Sequence, residues 1–228
     1  VEIMLVAGKN GSGKTVLMYH LNGLLIPTRG EVVLEGFPIR KNLLLARQKV
    51  GLVFQNARSQ IVGQTVEDDV AFGPRNLGLP ENEIEERVKT ALEACGLGEL
   101  AERRPHFLSG GELKRLAIAG VLAMKPKILV LDEPFSDLDY PGVRQVIRYL
   151  LKLHAEGHTL IVISHELDKF LAHATRLIIM EKGEIVRDGR PEDLIHETEA
   201  FGIRGLQSTF QGITAAGKKA IELMTWLR

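Results

Sequence analysis

A run of buried-strand character, Glu2-Ile3-Met4-Leu5-Val6-Ala7, leads straight into Gly8-Lys9-Asn10-Gly11-Ser12-Gly13-Lys14-Thr15, and a helix-forming stretch follows from about Lys14 to Leu24. A strand, a glycine-rich turn and a helix in that order constrain the fold more than any other feature of the chain. Glycines at 8, 11 and 13 permit a tight turn whose backbone amides, over residues 10–15, wrap phosphate oxygens at a helix N-terminus. Gly8, Asn10, Gly11, Ser12 and Gly13 then form the cradle, Lys14 is placed to reach the β- and γ-phosphates of a triphosphate, and the Thr15 hydroxyl is placed to ligate Mg²⁺. Such a turn sits at the carboxyl edge of an open α/β sheet, where ligands bind.

The rest of the chain fits that frame. Val50–Phe54, Lys127–Leu131, Thr159–Ser164 and Arg176–Glu181 read as strands, the first two with long apolar runs. Gly30–Gly36 alternates between glycines and reads as an antiparallel strand. Helices are expected from Ser109 to about Met124, over Val143–Ala155 and from Glu166. The block from about Thr65 to Arg104 shows no strand. Residues from about Gln64 to Cys95 read as helical, broken at Gly73-Pro74 and again by the Gly78-Leu79-Pro80 turn, with Glu81, Glu83, Glu85 and Glu86 marking a helix start. Alternation of strand and helix argues a largely parallel sheet covered by helices.

Two strands end in polar pairs on the edge where the glycine turn lies. Ile128-Leu129-Val130-Leu131 delivers Asp132-Glu133. Asp132 suits a magnesium partner and Glu133 suits the base that polarises an attacking water. Ile161-Val162-Ile163 delivers Ser164-His165, and His165 suits a γ-phosphate contact. Gln55 closes the Val50–Phe54 strand and suits a hydrogen-bond link to metal or water. The plainer readings are a capping pair before Pro134 and a structural histidine; the glycine loop favours the chemical ones.

With Leu108-Ser109-Gly110-Gly111-Glu112 opening the next helix, the chain resembles the nucleotide-binding subunits of ABC transporters. Gly8–Thr15 matches the Walker A loop, Gln55 the Q-loop, and Leu108–Glu112 the signature. Ile128–Glu133 matches Walker B, Ser136-Asp137-Leu138-Asp139 the D-loop, and His165 the switch histidine. The match runs from residue 1 to about 195. It implies an α/β P-loop fold of the ABC type, with a mostly parallel sheet core, an antiparallel β portion and an inserted helical subdomain over about 65–124. It further implies ATP and Mg²⁺ (Thr15, Gln55 and Asp132 as magnesium contacts) and catalytic roles for Glu133, His165 and Gln55. A second ATPase subunit is expected, to which Ser109, Gly110 and Gly111 would contribute in trans.

A narrower resemblance rests on Val50–Asn56, Gln60-Ile61-Val62, Thr65–Pro74, Asn76–Pro80 and Ala117–Met124, which look like the ATPases of energy-coupling factor importers of vitamins or transition-metal ions. It implies a transmembrane coupling protein, received in a groove formed by Gln60–Phe72, and a separate membrane substrate-binding component, at the cytoplasmic face of the cell membrane. An ATPase of another ABC transporter class is the alternative, and a soluble ABC ATPase a more distant one. A small-molecule kinase leaves Ser109-Gly110-Gly111 and His165 unexplained.

Composition bounds these readings. Lys and Arg number 29 against 29 Asp and Glu in 228 residues, so no global field favours nucleic acid, and no nucleic-acid partner is expected. The single Cys95 excludes an intrachain disulfide framework. No apolar run approaches the roughly 20 residues of a membrane span. Val16 stands where the family usually carries a second hydroxyl, Lys9 replaces a common proline, and Asp137 replaces a small residue. The chain opens at Val1 inside a strand-like run, so residues upstream are expected, including the adenine-stacking aromatic of the family. A tail from about Thr198 matches poorly, with Ala220, Leu223, Met224 and Leu227 at helical spacing.

Overall fold

The computed structural model describes residues 1–203; the apolar face expected at Ala220, Leu223, Met224 and Leu227 lies outside the described residues. A six-stranded sheet organises the chain, in the order β4-β5-β6-β1-β7-β8. Its strands are β1 (Ile3–Ala7), β4 (Val50–Val53), β5 (Ile128–Asp132), β6 (Thr159–Ile163), β7 (Arg176–Glu181) and β8 (Glu184–Gly189). The pairings from β4 to β7 are parallel, and β7 pairs β8 antiparallel. A separate hairpin joins β2 (Val33–Leu34) to β3 (Phe37–Pro38). The helices are α1 (Lys14–Leu21), α2 (Leu43–Lys49), α3 (Val66–Asn76), α4 (Glu81–Ala94), α5 (Gly110–Leu122), α6 (Tyr140–Ala155) and the short α7 (Pro191–Leu194).

Alternation along the strands divides the core in two. Leu5, Leu129, Leu131, Val162, Leu177 and Ile179 face a large cluster that includes Leu116 of α5 and Ile147 and Leu150 of α6. Val6, Val130, Ile163, Ile178 and Met180 face the opposite side, against Met18 of α1. A parallel sheet covered on both faces requires continuous apolar strands, and these strands have them.

Five points of the expected fold need correction. Gly73-Pro74 does not break α3. Pro74 is buried in the last turn; it forfeits one bond of the ladder, and the helix is closed beyond it by the Leu77 amide, which donates to the Gly73 and Pro74 carbonyls at 3.1 and 3.2 Å. Gly73 is there because α3 approaches α5 closely: a Cβ would come within 2.6 Å of Met124 Cγ. No α-helix starts at Glu166; two short 3₁₀ turns, Leu167–Lys169 and Leu171–His173, carry the chain back to β7, where the Thr175 amide bonds the Ile3 carbonyl at 2.8 Å. The helix after the glycine loop stops at Leu21 rather than Leu24. β8 has no counterpart among the expected strands. Its alternation is masked by charge, because it is an exposed edge strand, joined to β7 through Lys182 and Gly183, both at positive φ as a tight primed hairpin turn requires. The antiparallel strand expected at Gly30–Gly36 shortens to the two residues of β2.

Gly51, in the middle of β4, tests how tightly this sheet is covered. A Cβ there would sit 2.2 Å from Val121 Cγ1 and 3.1 Å from Pro126 Cγ. Both neighbours belong to packed backbone elements, so Gly51→Ala is expected to lower stability by about 1–3 kcal/mol, read as a fall in the urea midpoint at unchanged slope.

Candidate functional site

Each parallel strand delivers its carboxyl end to one edge. The register pairs Val6 with Ile163, Asp132 with Ile163 and Val53 with Leu131. Gly8, Gln55, Asp132-Glu133 and Ser164-His165 therefore emerge side by side.

The glycine loop closes on itself. Ser12 N–H donates to the Lys9 carbonyl at 3.1 Å, and a Cβ on Gly8 would collide with the Met180 carbonyl at 2.3 Å and Ser12 Oγ at 2.5 Å. Gly13, at φ 98°, caps α1. The first-turn amides of α1 have no partner inside the helix and are directed at the cradle. Lys14 Nζ lies within it, donating to the carbonyls of Gly8 (2.7 Å) and Lys9 (3.0 Å). Burial pushes the Lys14 pKa below the ordinary lysine value, against the pull of the Glu133 and Asp132 carboxylates.

Thr15 and Asp132 meet as the sequence implies, Thr15 Oγ1 donating to Asp132 Oδ2 at 2.9 Å. Burial raises the Asp132 pKa and the Thr15 bond opposes that rise. Two hard oxygen donors side by side suit Mg²⁺, which prefers oxygen and binds through one or two carboxylates plus substrate phosphates. Among the described residues no cluster of three or more His, Cys, Asp or Glu forms a cage of its own. The donor set thus fits a magnesium ion that arrives with a phosphate.

Glu133 is the most restrained residue of the edge. It sits at φ 45°, in the left-handed region that a non-glycine residue enters at a cost. Ser164 Oγ donates to its Oε2 at 3.1 Å, and the His165 amide donates to Oε1 at 3.0 Å. His165 Nδ1 lies 2.6 Å from the same Oε1. An ionised carboxylate only accepts, so Nδ1 carries the proton there. The Glu133 side chain is 9% exposed and that of His165 54%, which leaves the outer part of the imidazole open to the edge.

Gln55 follows β4 with its side chain exposed, and its carbonyl accepts from Lys114 Nζ at 2.6 Å. Ser109 caps α5 in a reciprocal box. Its Oγ accepts the Glu112 amide at 3.3 Å, and Glu112 Oε2 accepts the Ser109 amide at 2.7 Å. Ser109 and Gly110 are exposed, and Gly110 stands against the carbonyl of Asp137. Sequence reasoning missed Lys114 and left Ser164 without a role. A lysine among the buried positions Leu113, Ala117, Ile118 and Val121 of one helix is the signal that finds the first.

Comparison with known proteins identifies the family to which this fold belongs. The family model described as ABC transporter matches residues 1–136. The energy-coupling factor transporter ATP-binding protein EcfA of Methanocaldococcus jannaschii is 45% identical over 203 residues, covering 88% of this chain and 73% of that protein. Among solved structures, cbiO1 from Clostridium perfringens, part of the ABC transporter complex cbiONQ, superposes with a TM-score of 0.80 at 35% identity, covering 95% of this chain and 86% of that one. A dimeric ATP-binding cassette, MJ0796, in a post-hydrolysis state bound to ADP and Pi, superposes at 0.74 with 28% identity, covering 83% and 85%. The chain belongs to the ABC transporter family, as an ATP-binding, ATP-hydrolysing subunit. Within that family it is of the energy-coupling factor type.

The capping box yields a pH test. Bonds from the Ser109 amide and hydroxyl hold the Glu112 carboxyl below its ordinary value. A depressed folded-state pKa stabilises above the unfolded value, about 4.3, and that stability is lost as pH falls through the folded one. Glu112→Gln is expected to be less stable than the parent near pH 6, with the gap closing towards pH 3.5; urea unfolding over that range measures it.

Proposed function

We propose that the chain binds ATP with Mg²⁺ in the Gly8–Thr15 loop, hydrolyses it as one half of a head-to-tail pair, and powers an energy-coupling factor importer. The arrangement that carries this reading is the edge itself, with Thr15 beside Asp132 and Glu133 held by Ser164 and His165. The loop amides and Lys14 orient the triphosphate. Thr15, Asp132 and Gln55 would hold Mg²⁺, which neutralises charge developing on the β- and γ-oxygens. Glu133 takes the proton of the water that attacks the γ-phosphorus as the bond to ADP breaks. His165, already proton-bearing at Nδ1, keeps the Glu133 carboxylate oriented and offers its exposed side to the γ-phosphate.

The signature serves the second copy. Ser109 and Gly110 are exposed and Gly111 half-buried at a helix N-terminus whose amides suit an anion, and the related MJ0796 cassette is dimeric with ADP and Pi bound. In this reading the helices over about 65–124 form a subdomain inserted between β4 and β5 that carries the signature and receives the membrane partner. A groove of about 310 Å³ supports the latter, lined by Leu44, Val62, Phe72, Leu77, Val121 and Met124 among others. Val62 and Phe72 are 60% and 51% exposed, an apolar surface suited to a coupling helix of a transmembrane protein. Among the described residues no helix is long and apolar enough to cross a membrane. On this reading the chain sits at the cytoplasmic face through partners, and a separate membrane component selects the vitamin or metal ion.

Glu133→Gln in the intact complex tests the reading. It is expected to bind ATP and trap a dimer while turnover falls at least about 100-fold, followed by size-exclusion chromatography with Mg²⁺-ATP and phosphate release; unaltered turnover shows that Glu133 is not the base. Phe72→Asp is expected to abolish co-purification with membrane subunits while leaving ATP affinity within about two-fold. Retention of those subunits would place the docking surface elsewhere.

A further inference from the structure

Lys114 is a lysine where its helix asks for an apolar residue. It is 3% exposed, flanked on α5 by buried Leu113, Ala117 and Ile118. Taking an ammonium out of water is costly unless acceptors replace the lost hydration. Here the replacements are two backbone carbonyls, Gln55 O at 2.6 Å and Glu133 O at 3.3 Å. Neither is an arbitrary acceptor. Both follow the end of a parallel strand, beyond the ladder that would otherwise satisfy them, and both belong to residues assigned above to hydrolysis.

We propose that Lys114 is a positioning residue for ATP hydrolysis, tying the signature helix to the ends of β4 and β5 and so fixing where Gln55 and Glu133 stand. This rests on the reading of those two residues given above. Glu133 needs such a tie, because at φ 45° the chain turns sharply and its carbonyl is gathered in by Ser136 N (3.2 Å), Ser136 Oγ (2.9 Å) and Lys114 Nζ. Ser164 and His165 restrain the carboxylate from the β6 side. Among the described hydrogen bonds, Lys114 alone joins α5 to either Gln55 or Glu133. An apolar residue of similar length would fill the same space and preserve packing; it would leave the two strand ends unconnected. Lys114 stands five residues after Ser109 on the same helix, so the capped end offered to a second copy and the base of this copy move as one body.

The tie acts on turnover rather than on ATP binding, since the glycine loop and Lys14 make none of its contacts. Lys114→Met in the intact complex is therefore expected to lower kcat about 10- to 100-fold, the range of a misplaced catalytic group, with the ATP Kd within about two-fold of the parent. In the Glu133→Gln background it is expected still to form the ATP-trapped dimer. Lys114→Gln, which restores a donor without the charge, is expected to turn over faster than Lys114→Met. Parental kcat for Lys114→Met overturns the proposal. So does a parallel loss of ATP affinity and of the trapped dimer, which would make Lys114 a packing residue, and so does a Gln variant no better than Met. Full turnover of Glu133→Gln alone is a different result: it removes the assignment of Glu133 on which the proposal stands.

Discussion

Parallel pairing of β4, β5, β6 and β1 is the constraint on which everything else depends. In a parallel sheet all strands reach the same edge with the same polarity, so four chain segments far apart in sequence release their next residues together. The register does the rest. Asp132 lies level with Ile163, and Ile163 with Val6. A slip of one residue would turn Leu131 and Val162 from one core to the other and carry Glu133 away from Ser164. Burial on both faces makes that slip prohibitive, so the core that stabilises the sheet also aligns its edge.

The edge so formed carries charges that burial opposes. Lys14, Lys114, Asp132 and Glu133 are all at most 8% exposed. Burial lowers the pKa of both lysines and raises that of Asp132, and each group is partly restored by the others' charge. Opposite charges placed close together in a medium of reduced dielectric offset the loss of hydration only if their remaining donors and acceptors are met. They are met here largely by backbone, at the carbonyls of Gly8, Lys9, Gln55 and Glu133. The loop geometry and the charge balance are thus one arrangement: displacing a lysine strands a carbonyl as well as a carboxylate.

Sequence made the strands and the candidate site legible because both depend on local chemistry. A glycine loop between strand and helix, or an acidic pair after an apolar run, has few other physical uses. What it hid depends on tertiary context. Pro74 reads as a breaker, yet α3 runs two residues past it, buried as it is, and the Leu77 amide closes the turn on the Gly73 and Pro74 carbonyls. Leu167, Phe170 and Leu171 carry helical spacing, yet the short return to β7 admits only 3₁₀ turns. The edge strand β8 lacks an apolar run because water covers one side of it. Lys114 escaped for the opposite reason. Its partners are backbone carbonyls, which leave no trace in a sequence, and only its position among buried residues betrays it.

The same contrast separates what this chain does from what it serves. Phosphate chemistry requires a few residue types at fixed spacing, and any chain performing it must display them. Docking requires only an apolar groove of suitable shape, such as that between α2, α3 and α5, which many sequences can line. Its position gives it meaning. The segment that begins at Gln55 lines the groove at Gln60 and Val62. The Gln60 side chain meanwhile bonds back to β4, accepting from Phe54 N at 3.1 Å and donating to the Leu52 carbonyl at 3.1 Å. On the proposed reading, a coupling helix seated in that groove would bear on the segment that continues β4 to Gln55, and through the Gln55 carbonyl on Lys114 and α5. Docking and hydrolysis would then meet on a few backbone groups at one end of β4, a strand that lies at the edge of the sheet yet is itself buried.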